Sequence, residues 1–181
     1  MATQRSNNYA LIRGFDTIKA KGNISVLANI SGNTAKLVNV NVSVGAVAAG
    51  CTVAVSKIAT VNRAIVELYD SAVLTAKDLN VTALLPEGEN CTSQIKLFTL
   101  SVGYVAVTVS VLYSRNKVEN TAMFIVGKNS EAQLSGNLNV IARGAVASKT
   151  RSDMPVSVAG LALGATVMTS KVDSAFNANV T

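Results

Sequence analysis

The sequence predicts an all-β chain, a β-solenoid built from repeats of about 57 residues, and three observations carry that expectation. A block of small and apolar residues occurs three times, at spacings of 58 and 56 residues. Its copies are Ser43 to Lys57 (SVGAVAAGCTVAVSK), Ser101 to Arg115 (SVGYVAVTVSVLYSR) and Ser157 to Lys171 (SVAGLALGATVMTSK). The composition is 49% apolar yet only 4% aromatic, without Trp or His, and Val, Ala, Thr, Ser and Asn fill the gap. Such residues suit pleated, closely stacked strands. Each block also sits inside the same succession of markers, as a stacked array requires.

Four markers recur in one order. The first is a short strand of pattern (I/L)-x-V-x-A, at Ile24 to Ala28, Leu79 to Ala83 and, with Ile in the fourth place, Leu138 to Ala142. The second is a polar, variable segment: SGNTAKLVNVN, then LPEGENCTSQIK, then GAVASKTRSDMP. The third is the block itself. The fourth is a closing strand and turn, at Ala10 to Asp16, Ala64 to Asp70 and the looser Ala122 to Asn129. The chain therefore reads as a single solenoid segment over 1–181, with a partial repeat 1–22, repeats 23–78 and 79–136, and a partial repeat 137–181. Known array periods run from about 20 to 50 residues, so a longer unit is expected to hold two or three turns. Stacked turns leave open strand edges at both ends. Those edges predict end-to-end self-association, or flanking repeats of a longer chain that cover them.

Within the block a glycine separates two strand parities. The inward candidates before it are Val42 and Val44, Leu100 and Val102, and Val156 and Val158. After it they are Val47, Val53 and Val55, then Val105, Val107, Val109 and Val111, then Leu161, Leu163 and Val167. Side chains alternate faces with period two, so a parity change marks a corner or a bulge. Gly45 and Gly103 sit at that corner, where a missing Cβ relieves crowding, and the third copy has Ala159-Gly160. The opposite face reads Ala46, Ala48, Gly50, Thr52 and Ala54, and in the third copy Gly160, Ala162, Gly164 and Thr166. This small, uncharged face is expected outside, as a wall that lets turns stack closely or as a contact surface for another chain.

Several classes are set aside by composition. With 181 residues the chain is long enough to bury a sizeable core. Mean hydropathy is +0.37, but apolar runs such as Leu100 to Tyr113 are broken by Ser, Thr and Gly. They fall short of the roughly 18 residues of a spanning helix, and scattered Tyr and Phe do not build the girdles of a transmembrane barrel. A soluble chain without a membrane-spanning segment is expected. The N-terminal MATQRSNNYALIRG has no apolar core of a signal peptide. That leaves a cytosolic protein or an internal piece of a longer exported chain. Net charge is +6, yet Lys and Arg fall singly at turns and no basic run exists. With few aromatics to stack on bases, nucleic acid is not an expected partner.

No residue pattern points to catalysis. Cys51 and Cys91 form no CxxC, so a metal site is not expected, and no bridge between them is required. Without His there is no Ser-His-Asp or Cys-His arrangement, and phosphate-binding glycine loops are absent. Glu87 and Glu89 are the only close carboxylates, in PEGEN, and with Lys149, Arg151 and Asp153 they read as solvated turns. Six N-x-S/T sequons, at Asn23, Asn29, Asn41, Asn80, Asn90 and Asn179, read as products of composition, with Asn serving turns or polar ladders; glycosylation is the alternative. The expectation is no enzyme, no catalytic or metal-binding residue and no cofactor.

The order of strand, polar gap, Val44-Gly45-Ala46-Val47-Ala48 through Val53-Ala54-Val55-Ser56-Lys57-Ile58, and closing strand resembles the repeats of leukotoxin-type filamentous adhesins, relatives of filamentous haemagglutinin. The resemblance covers essentially the whole chain. It departs at Ala159-Gly160 and at Thr108, which replaces the glycine of the Gly50 position. It implies a right-handed parallel β-helix and a secreted or surface-exposed bacterial protein. It further implies a role as a rigid rod and contact surface toward a host cell surface or extracellular matrix, with a part in virulence. A carbohydrate-active β-solenoid enzyme and a self-assembling fibre subunit are the alternatives.

Overall fold

The computed structural model describes residues 1–30, 33–85, 91–152 and 156–181. Among these residues there are strands and no helix. In chain order they are β1 (Ala2–Gly14), β2 (Thr17–Lys19), β3 (Ile24–Asn29), β4 (Thr34–Val44), β5 (Val47–Leu68), β6 (Val73–Ala76), β7 (Leu79–Leu84), β8 (Cys91–Val126), β9 (Glu131–Leu134), β10 (Leu138–Arg143), β11 (Val146–Ser152) and β12 (Val156–Val180). The protein is all-β and its sheets are parallel. One sheet orders β1-β5-β8, with β4, β11 and β12 also on β8, and two smaller sheets run β3-β7-β10 and β2-β6-β9.

Every ladder joins equivalent positions of neighbouring repeats. Val47 pairs with Val105, and Val105 with Leu161. Ala10, Ala64 and Ala122 fall in one row, as do Ile24, Leu79 and Leu138. The paired strands thus lie a whole repeat apart, which corrects the expected two or three turns within each repeat. One repeat supplies one rung. Parallel strands need a long crossover between them, and here the crossover is the remainder of the repeat. The polar, variable segment is not merely a connection: it carries β4, the start of β8, and β11.

A rung has two parts with different interiors. At one end the second halves of β5 and β8 meet β6 and β7 around an apolar core of Val66, Leu68, Leu74, Leu79, Val81 and Phe124. At the other, β4 lies against the first half of β5, and the start of β8 against its middle, as an arch that folds back at Gly45 and Gly103. The expected corner is present: Gly45 N–H bonds the Val102 carbonyl at 3.0 Å, and Tyr104 N–H bonds the Ala46 carbonyl at 3.1 Å.

In the first two copies the sides of the corner are the reverse of those expected, whereas in the third Gly160, Ala162, Gly164 and Thr166 are exposed along with the larger residues of the other face. Ala48, Thr52, Ala54, Ala106, Thr108 and Ser110 are buried inside the arch. Val42, Val44, Val47, Val53, Leu100, Val109, Val111, Val158, Leu161, Leu163 and Val167 are exposed, and Val55, Val102, Val105 and Val107 are half-buried. The Val156 side chain lies outside the described residues. The physical reason is width. The two layers close so tightly behind the bend that a Cβ on Gly50 would sit 2.9 Å from Asn41 Nδ2. A layer that thin takes Ala, Ser and Thr inward and sends Val outward.

The corner yields a pair of contrasting substitutions. A Cβ on Gly103 would overlap the carbonyl oxygen of Gly45 in the neighbouring rung, whereas one on Gly45 meets nothing closer than the Val47 oxygen at 3.4 Å. Urea denaturation is expected to show Gly103→Ala destabilised by about 2 kcal/mol through overpacking. Gly45→Ala should stay within about 0.5 kcal/mol of the parent chain.

Candidate functional site

The arch is the part of the molecule whose surface differs from an ordinary one, and its lining explains how it stands. Ser114 Oγ donates to the Ser93 carbonyl (3.1 Å), Ser93 Oγ to Ser56 Oγ (2.7 Å), and Ser56 Oγ to the Ala35 carbonyl (3.1 Å). This zigzag crosses the gap and ties two rungs together. Nearer the bend, Asn41 Nδ2 donates to Thr52 Oγ1 at 2.9 Å and the hydroxyls of Ser43 and Ser101 meet at 3.0 Å. A small apolar patch of Ala54, Ile95, Leu97 and Leu112 fills what the hydroxyls leave. Buried polar groups in so thin a layer are tolerable because they are bonded.

At the base of the arch an asparagine ladder closes the rung. Asn8, Asn62 and Asn120 are in register on β1, β5 and β8. Asn8 Nδ2 donates to the Asn29 carbonyl (3.0 Å) and to Asn62 Oδ1 (3.2 Å). Asn62 Nδ2 donates to the Ala28 and Leu84 carbonyls at 2.9 and 3.3 Å, and Asn120 Nδ2 to the Arg143 carbonyl at 3.0 Å. Those carbonyls end β3, β7 and β10, where the chain leaves the core for the arch. Asn116 makes the corresponding bond to the Ala147 carbonyl.

Outside, β5, β8 and β12 present a grid. Its successive rows are Val47-Val105-Leu161, Ala49-Val107-Leu163, Cys51-Val109-Ala165 and Val53-Val111-Val167, followed by Val55-Tyr113-Thr169 and Lys57-Arg115-Lys171. Apolar rows thus run to a row containing Tyr, then to a row of three cations. Lys57 Nζ lies 5.9 Å from the centre of the Tyr113 ring, within cation–π range. Asp173 holds the other two cations, 2.6 Å from Arg115 Nη2 and 3.4 Å from Lys171 Nζ. Hydrogen bonding from Arg115 first, and from Lys171, pulls the Asp173 carboxyl below its ordinary range, and the same bond raises the Arg115 guanidinium. Lys117 Nζ bonds Glu119 at 2.6 Å and lowers that carboxyl likewise. A lowered carboxylate pKa means these clamps hold at neutral pH and are lost only as pH falls through the acid range.

The residues singled out in the sequence are not gathered into a site. Glu87, Glu89, Asn90 and Asp153 lie outside the described residues, as do the side chains of Cys91, Lys149 and Arg151. Cys51 is an exposed free thiol on the outer grid. Asn80 and Asn139 form a rung-to-rung amide bond at 2.8 Å, the polar ladder that the sequon asparagines were expected to supply, while Asn41 points into the arch. Among the described residues no three His, Cys, Asp or Glu side chains are grouped to hold a metal ion, and no helix is long and apolar enough to cross a membrane. Reading the sequence missed the Asn8-Asn62-Asn120 ladder, whose signal was an asparagine recurring with the repeat. Compared with family models, curated proteins and solved structures, the chain matches none.

Truncating the ladder tests its part in the fold. Asn62→Ala removes the side-chain donor to the buried Ala28 carbonyl and one of two donors to the Leu84 carbonyl, which keeps the Ile30 amide, and is expected to cost about 1–3 kcal/mol in urea denaturation. Asn23→Ala, an exposed sequon control, should stay within about 0.5 kcal/mol.

Proposed function

We propose that the chain is a right-handed parallel β-helix segment, one turn per repeat, acting as the structural and adhesive part of a large secreted or surface-exposed bacterial filamentous protein. The observation that supports this reading most is the register: each repeat marker lies on its counterpart in parallel ladders, so identical outer positions form continuous rows. Right-handedness follows from the near-universal hand of parallel crossovers. A molecule of this kind works by display. Its rungs space a repeated surface, and that surface meets a host cell or extracellular matrix.

The fibre-subunit reading keeps a place because of one feature. Met168, Val172 and Phe176 on the inner face of β12 are exposed, although the aligned positions of β8, Leu112, Asn116 and Asn120, are buried. An added rung, from flanking repeats or a second copy, would cover them.

Beads carrying the purified chain are expected to retain host cells or matrix proteins above the level of beads carrying an unrelated β-protein. Equal retention would remove the adhesive reading. Turnover of acidic polysaccharides by the chain would replace it with the enzymatic one.

A further inference from the structure

We propose that the outer face of the arch, the grid on β5, β8 and β12, is a docking surface for an anionic lipid bilayer. The proposal takes the contact-surface part of the reading above and gives it a partner; it does not depend on the adhesin family.

The first support is the inverted distribution of side chains. Near the bend the inner positions of these strands are Ala, Ser and Thr, while on the grid Val47, Val53 and Val167 are 70%, 64% and 57% exposed and Tyr104, at the bend, 82%. Exposed apolar residues are ordinary singly, but here they adjoin in register. Nine residues of strand at ~3.3 Å, on three strands ~4.8 Å apart, make a flat apolar area of roughly 400 Å².

The second support is what bounds that area. The apolar rows end at Tyr113 and then at Lys57, Arg115 and Lys171, the order of an interface-seeking surface: apolar residues in the acyl boundary, Tyr beside them, cations at the phosphates. Three like charges stacked in one row repel, and Asp173 answers only Arg115 and Lys171. Counting Lys117 and Glu119 beyond that row, four cations face two carboxylates. Anionic headgroups complete the balance, and each Lys or Arg near such a surface strengthens attachment about fivefold.

A second copy is the poorer occupant. Two such faces would bury about 800 Å² together, below what a stable protein interface usually needs. A bilayer sets no such minimum, and contact grows with each stacked rung. Lying flat, the face enters only the headgroup and acyl boundary, so strand edges stay hydrated and nothing crosses the membrane.

The test uses the whole chain, which has no Trp. Val109→Trp places one fluorophore mid-grid, with circular dichroism confirming that the variant is folded. Mixed with vesicles of phosphatidylcholine and phosphatidylserine, it should shift to the blue and be quenched by brominated acyl chains. It should respond weakly to phosphatidylcholine alone, and binding should fall with salt. Lys57→Gln should weaken vesicle binding about fivefold and Val53→Asp at least tenfold, both without loss of fold. No sedimentation with the anionic vesicles overturns the proposal, as does sedimentation with an unquenched Trp at 109. A blue shift that rises with protein concentration and needs no lipid also overturns it, and makes the grid an interface between copies. Beads that retain cells while vesicles fail to bind would sink the lipid partner and leave the adhesive reading intact.

Discussion

The thinness of the arch governs the rest of this structure. Two strand layers joined by a bend at Gly45 and Gly103 leave little space between them near that bend, so Ala, Ser and Thr line most of the gap and larger side chains, Ile95, Leu97 and Leu112, enter only farther from it. Burying a Val is worth about 1.5–3 kcal/mol, and the arch forgoes that at many positions. Ladder hydrogen bonds, the Ser114-Ser93-Ser56 zigzag and the asparagine ladder hold it instead. Ordinary hydrophobic stabilisation is concentrated at the other end of each rung, around Leu74, Leu79 and Phe124.

That division explains what could be read in advance. The repeat, the corner glycines and the alignment of Val47, Val105 and Leu161 were legible, because period and parity are properties of spacing alone. Alternation, however, defines two faces without saying which is inside. The rule that large apolar residues go inward decided the matter wrongly, since it presumes a core wide enough to receive them. The strand in each polar segment was hidden for the same reason: Ser93, Thr99 and Ser101 line a layer where polarity is bonded across the gap rather than solvated. The outer grid was therefore visible as a pattern and misjudged as a surface.

Coupling between rungs also runs through the turns. Asp70 Oδ1 accepts the Lys128 amide at 2.9 Å and Asp78 Oδ1 the Asn137 amide at 2.8 Å, each bond reaching the next repeat. Ser130 Oγ donates to the Tyr69 carbonyl at 2.6 Å, and Phe15 stacks on Tyr69 with ring centres 4.3 Å apart. Ser71 and Asn129, both at positive φ, shape matching turns one repeat apart. A carboxylate or hydroxyl that caps a neighbour's amide gives each turn a partner only when rungs are stacked. Register is thus set at the corners as well as along the ladders.

Burial in such an array belongs to the stack and not to the strand. Ala106, Ser110 and Leu112 of β8 are buried with a rung on each side, whereas Ala162, Thr166 and Met168, the same positions on β12, are exposed with a rung on one side only. Each rung therefore completes its neighbour's interior while leaving its own outer face free. Inner positions answer to three rungs at once and tolerate little change in volume. Outer positions meet only neighbours on the outer face, as Lys57 meets Tyr113, so Val53, Val109 or Lys57 can be altered for what they touch in solution at small cost to the fold. A surface free of that constraint, yet apolar in register and ending in a row of cations, is better explained by what it meets than by how the chain folds.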